Sequence, residues 1–267
     1  MADPHRGLDA QGYIAREGSL GRVRDPFRPV VAAARDRLLD VFGARLSSAY
    51  LYGSVARGTA RPGRSDLDLL LVLRAAPTDA DRADARTLDA ALDKEFPQVD
   101  GVSTLVYDRG RLLSAAETYD MGWFVACLCT PLLGEDLAED LPRYRPTSRL
   151  ARETNGDLAA RLPRWRERIA RAATDDERRA LDRLVARGLV RTAFTLVMPR
   201  WNGWTSDLTE MAEVFARYYP RWAPQVRAAA VAGHTPGGDP ATLHLYTEEL
   251  GPWLAAEYAR VHGTKPA

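Results

Sequence analysis

The chain has 267 residues, 46% of them hydrophobic, which exceeds the usual size of one domain and excludes wholesale disorder. Its formal charge of +1 lacks the basic excess by which proteins grip a nucleic-acid backbone, so no nucleic-acid partner is expected. No stretch approaches the ~20 apolar residues of a membrane span, so no membrane partner is expected either.

Met1 to Arg6 lacks the apolar core of a secretory leader, and the expected compartment is the cytoplasm. Gly12 to Ala15 reads as a short strand in a polar lead-in. The spacing of Val30, Ala34, Leu38 and Val41 predicts a helix from Pro26 to Phe42, stopped by Gly43. Strands over Ala49–Tyr52 and Leu67–Leu73 flank a turn-rich stretch. A second helix is predicted over Thr78–Phe96, with Ala83, Leu88, Ala91 and Leu92 inward and Asp79, Asp81, Arg82 and Asp84 on a solvated face. β-branched residues predict a strand over Gln98–Tyr107.

From about Arg111 onward no convincing strand remains, and helices are predicted over Leu112–Leu128, Arg149–Ala172, Asp175–Met198, Asp207–Tyr219 and Ala241–His262, with Pro131–Pro142 a break and Gly233–Pro240 a turn region. Cys127 and Cys129 are too few for a disulfide framework or a structural zinc site, and buried reduced thiols are expected. His5, His234, His244 and His262 show no ligand spacing. The expected fold is α+β, a mixed sheet with helices on one face over residues 1–135, followed by an all-α bundle over residues 136–267.

Tyr50 to Val72 carries the chemistry. An apolar run meets Gly53-Ser54, and a later strand opens on Asp66 and Asp68. Residues i and i+2 of a strand point to one face, so the two carboxylates project side by side. Their repulsion is relieved by a hard divalent cation, most simply Mg²⁺. Gly53 lets backbone approach a ligand closely, and a helix beginning at Ser54 offers its free amides to a phosphate. Asp is depleted in strands, which weighs against a purely structural pair. Together these features make a cradle for a metal and a triphosphate.

The pattern Gly53-Ser54, spacer, Asp66-Leu67-Asp68-Leu69 resembles the nucleotidyltransferase superfamily that shares its catalytic fold with DNA polymerase β. The resemblance implies a polymerase β-like core, one or two Mg²⁺, ATP as co-substrate and release of pyrophosphate. It implies a third carboxylate on the neighbouring strand, for which Asp100 is the candidate. Asp100 would share the metal with Asp66 and Asp68 and act as general base toward an acceptor hydroxyl. The residues alone leave a second reading, an Asp100-Gly101 turn. Gly53 and Ser54 would bind the nucleotide, and Arg57 and Arg64 either neutralise phosphate charge or stand as solvated loop arginines. Ser65 either joins that group or fixes the turn.

A catalytic half followed by a helical half is similar to the aminoglycoside nucleotidyltransferases, in particular those modifying streptomycin and spectinomycin. Arg187 to Met198 resembles the family's central helix, which implies a basic residue on the triphosphate. Arg187 and Arg191 share a helix face and are the candidates, with a solvated bundle surface as the other reading. Trp204, with Trp201, and the carboxylates Asp207 and Glu210 would suit a cationic sugar. Asp207 and Glu210 equally have the spacing of a helix cap, and the tryptophans equally wedge two helices. The expected function is Mg²⁺-dependent transfer of AMP to a small, aminoglycoside-like acceptor, as in antibiotic resistance. The expected partners are a nucleoside triphosphate and that acceptor, and the expected state is a monomer or homodimer. The alternative is a protein-modifying AMP transferase of the antitoxin type, against which the helical half counts.

Overall fold

The computed structural model describes residues 6–265, so the leader reading of the first residues and His5 lie outside the described residues. The chain divides into two compact units. One is Ala15–Tyr144. The other joins Arg145–Ala267 with the described part of Met1–Ile14, so the lead-in groups with the helical unit and the break falls later than residue 135.

In the first unit, α1 (Arg28–Phe42) leads into strand β1 (Leu46–Tyr52), and the short helix α2 (Gly53–Arg57) follows directly. Then come β2 (Leu67–Leu73), α3 (Asp79–Glu95), β3 (Val102–Asp108), α4 (Arg109–Leu112), α5 (Trp123–Leu128) and β4 (Thr130–Gly134). The sheet order is β3-β2-β1-β4. β1 runs antiparallel to both neighbours, whereas β2 and β3 are parallel. Parallel neighbours require a crossover, and α3 supplies it.

Period-two alternation assigns β2 to two layers. Leu67, Leu69, Leu71 and Leu73 join a core with Leu38 and Phe42 of α1 and Leu88 and Leu92 of α3. Leu70 and Val72 join Tyr50 in a second core with Leu112, Val125, Cys129 and Leu137. The class is α+β as expected, with α1 and α3 on one face and the segment containing α4 and α5 closing the other. Burial on both faces explains why β2 is a continuous apolar run rather than an alternating one. Each fully buried leucine contributes on the order of 2 kcal/mol.

Several local readings need correction, among them Ala83 and Ala91 of α3, which were expected inward and are exposed. β4 is a strand where none was expected after Arg111. It pairs with β1 at the sheet edge, and a register shift between Ala49 and Tyr50 falls where Pro131 lies opposite Tyr50. An edge strand tolerates a proline because a missing donor there breaks no central ladder. The helix expected over Leu112–Leu128 is interrupted, with a π-helical turn at Thr118–Gly122 between α4 and α5. Asp81 is not on a solvated face but buried, and it closes a capping box with Thr78 and pairs with Arg45. Cys127 and Cys129 are free and buried, and burial pushes the Cys127 thiol up to about 12.

The second unit is helical: α6 (Ser148–Asn155), α7 (Leu158–Arg171), α8 (Asp175–Trp201), α9 (Leu208–Ala216), α10 (Ala223–Ala232), α11 (Pro240–His244) and α12 (Gly251–His262). The segment expected as one helix over Arg149–Ala172 is broken at Gly156, which caps α6. α8 is the axis of this unit. Its start is fixed by a Thr174–Glu177 capping box, and Thr192 to Met198 are buried without interruption. A stretch buried on every side is expected of a helix packed all round, and the hydroxyls of Thr192 and Thr195 are satisfied by Gly188 O and Arg191 O.

The Asp81 carboxylate accepts from the Thr78 backbone N–H at 2.9 Å and the Thr78 hydroxyl at 2.7 Å. These bonds to Thr78, with Arg45 beside them, hold its pKa below the usual carboxylate value. Its stabilisation is therefore present at neutral pH and fades as pH falls from ~3.9 through the lowered value. Asp81→Ala is expected to cost about 1–2 kcal/mol in urea unfolding at pH 7, and the difference from wild type is expected to shrink below about pH 3.9.

Candidate active site

The site is assembled where β1 ends and β2 and β3 begin. Tyr52, the last residue of β1, lies opposite Asp68 on β2. Gly53 then turns the chain with φ +77°, a left-handed conformation that costs glycine nothing and strains other residues. A Cβ at this position would stand 2.3 Å from Asp68 Oδ2. Gly53 is required both by the turn and by the carboxylate packed against it.

Asp68 alternates with Leu67 and Leu69 and is half-buried. Asp66, also half-buried, stands just ahead of β2. The pairing with the chain before β3 continues past the strand ends. The Leu67 N–H donates to Gly101 O at 2.8 Å, and the Asp100 N–H donates to Ser65 O at 3.1 Å. The extended alternation therefore reaches back to Asp66, which places the two carboxylates on one face at the sheet's edge.

Asp100 is not drawn into that pair. It is exposed and precedes β3, where its N–H continues the pairing with the chain before β2. A Cβ on Gly101 would be 3.6 Å from Asp66 Oδ1, and the residue paired with Asp68 is Ser103. Among the described residues, no three His, Cys, Asp or Glu side chains gather as a metal site.

α2 begins at Gly53, one residue ahead of the expected Ser54, and the Tyr52 side chain makes no capping bond to that helix. Arg57, at the end of α2, lies 3.6 Å from Glu17 Oε2. Arg64 is exposed in the turn before Asp66. The Arg61 N–H donates to Ser65 Oγ at 2.9 Å, so Ser65 fixes the turn that presents Asp66. Glu17 escaped the sequence reading because it lies in the polar lead-in, far from the motif along the chain, with no local signal. A hollow lined by Leu20, Val23, Arg28, Val31, Arg35 and Leu132 contains none of the motif residues.

In the helical unit the candidates have structural engagements. Trp204 is only 6% exposed, and its ring meets Phe194 edge-on at 5.6 Å, so it is a core residue with no face for a sugar. Trp201 packs on the same phenylalanine at 5.8 Å. Asp207 caps α9 by accepting from the Glu210 N–H at 2.8 Å, and Glu210 accepts from the Thr205 hydroxyl at 2.6 Å. Arg187 Nε donates to Gly233 O at 2.8 Å, whereas Arg191 is exposed on α8. No stacking wall of tryptophan and carboxylates forms here.

Residues 33–103, from within α1 to the start of β3, match the family model described as a nucleotidyltransferase domain. The chain therefore carries a nucleotidyltransferase domain, which makes it an enzyme of the transferase class. No curated protein sequence matches it. Among solved structures it is similar in fold to spectinomycin adenyltransferase AAD(9) from Enterococcus faecialis, crystallised with ATP and spectinomycin. That similarity has a TM-score of 0.56 at 13% identity, and it covers 86% of this chain and 98% of the other.

Gly53→Ala is expected to destabilise the protein by about 1–3 kcal/mol in urea unfolding, because the new Cβ meets Asp68 and the backbone is strained. Gly63→Ala tests the collision separately. Gly63 has φ +68° but nothing within 4 Å of the added atom, so its loss is expected to be the smaller of the two.

Proposed function

We propose that the protein transfers AMP from ATP to a hydroxyl of a small, aminoglycoside-like acceptor, with Mg²⁺ and with release of pyrophosphate. The observation that carries this reading is the packing of Asp68 against Gly53, which brings the paired carboxylates to the mouth of the Gly-Ser turn. Mg²⁺ is bound elsewhere through one or two carboxylates plus substrate phosphates and waters. Asp66 and Asp68 fit that demand without a third side chain. Bound there, the ion would neutralise phosphate charge and polarise the reacting phosphoryl group.

The remaining roles follow from position. The first amides of α2, with Ser54, face the phosphates, and Arg57 adds positive charge at the other end of that turn. Asp100 sits ahead of β3 as Asp66 sits ahead of β2, so both lie at one end of the parallel pair. We assign Asp100 the acceptor proton rather than the metal. The acceptor loses that proton, its oxygen bonds to the α-phosphorus, and the bond to pyrophosphate breaks.

Acceptor selection is assigned to the helical unit. Exposed Asp207 is the carboxylate proposed for an acceptor ammonium group, since capping engages its Oδ1. The likeness in fold to a spectinomycin adenyltransferase supports a cationic, hydroxyl-rich acceptor.

The test is pyrophosphate release from each of the four nucleoside triphosphates, with and without a panel of aminoglycosides. Acceptor-dependent release is expected, and Asp66→Asn is expected to lower kcat by about 10²–10³-fold. Equal release by the variant would contradict the assignment. Release without an added acceptor, with AMP mass appearing on protein, would favour a protein substrate.

A further inference from the structure

The segment just before the matched domain grips the phosphate turn. Arg16 anchors it, donating to both carboxylate oxygens of Asp136 at 2.7 and 3.0 Å and to Ala126 O at 3.2 Å. The Glu17 N–H donates to Cys127 O at 3.0 Å, and the Ser19 N–H donates to Ala56 O, inside α2, at 3.1 Å. Between them Gly18 is pressed so closely that a Cβ would come within 2.5 Å of Thr130 Oγ1 and 2.9 Å of Ala56 Cβ. Residues 16–19 thus form a strap fixed to α5, β4 and α2 together.

The strap holds one acidic side chain against α2. The Glu17 carboxylate lies 3.6 Å from an Arg57 guanidinium nitrogen, with side-chain exposures of 12% and 31%. That separation is a charge contact and too long for a good hydrogen bond. Arginine has five N–H donors in a rigid fork. A charge partner at this distance directs the guanidinium while leaving its donors available to phosphate oxygens. An arginine held in advance loses less side-chain freedom when a ligand arrives.

We infer that Glu17 is a positioning residue for nucleotide binding, acting through Arg57. It touches neither substrate nor metal. This inference rests on the nucleotidyltransferase reading and adds to it a residue outside residues 33–103. The consequence is a specific split. Loss of the Glu17 charge weakens nucleotide binding, and once nucleotide is bound the chemical step proceeds much as before.

The experiment measures Mg²⁺–ATP affinity by calorimetry, and KM and kcat by pyrophosphate release, for wild type, Glu17→Gln, Glu17→Asp, Arg57→Ala and the Glu17→Gln/Arg57→Ala double variant. Glu17→Gln keeps the shape and removes the charge. It is expected to raise Kd and KM for ATP roughly three- to fivefold, the size of a partly exposed charge contact, with kcat within about twofold of wild type. Glu17→Asp should recover part of that loss. The double variant should bind no more weakly than Arg57→Ala, because the two residues act as a unit. A merely structural strap predicts something else: a lower Tm, with affinity unchanged or with the two losses additive. Either result, or tighter binding by Glu17→Gln, overturns the inference while leaving the transferase reading intact. Absence of any Mg²⁺–nucleotide binding by wild type overturns both.

Discussion

A carboxylate oxygen of Asp68 occupies the space in which a side chain at residue 53 would begin. Much of the catalytic unit can be understood as what makes that approach tolerable. A carboxylate packed against backbone at a half-buried edge needs polar partners. Here the neighbouring element is a glycine turn whose next residues present helix-start amides, and the second carboxylate, Asp66, stands on the same face. The arrangement is suited to a cation and a polyphosphate arriving together.

The sheet supplies the rigidity this requires. β2 is central, buried on both faces, and tied by ladders to β1 on one side and β3 on the other. Its leucines pack too deeply for the strand to slip by one residue, since such a slip would exchange the two faces. The register that seats Leu69 and Leu71 in one core and Leu70 in the other also fixes Asp68 opposite Tyr52. Stability and the geometry of the candidate site are therefore set by the same pairing. The strap through Glu17 and Ser19 extends that control to the far end of α2.

The parts of the fold legible in the sequence were those with a strong local period. α1, α3, β2 and α8 carry their patterns over many residues, and Gly53, Ser54, Asp66 and Asp68 form a compact motif. The misread parts depend on partners distant in the chain. β4 carries a proline and owes its strand character to β1. Asp81 looks like one more surface charge on α3, but it is buried because Thr78 and Arg45 close over it. Trp204 shows the same limit, because an aromatic beside carboxylates reads identically whether it faces a ligand or Phe194. Glu17 had no local signal at all.

The central claim is that Asp66 and Asp68, with the Gly53 turn, bind a nucleoside triphosphate together with a divalent cation. Calorimetric titration of ATP into the protein tests it most directly, with Mg²⁺ and with EDTA, for wild type and Asp68→Asn. The account predicts binding by wild type that requires the cation and weakens at least about tenfold in the variant, the effect of losing one charged ligand. Binding of equal affinity with EDTA, or in Asp68→Asn, would contradict it.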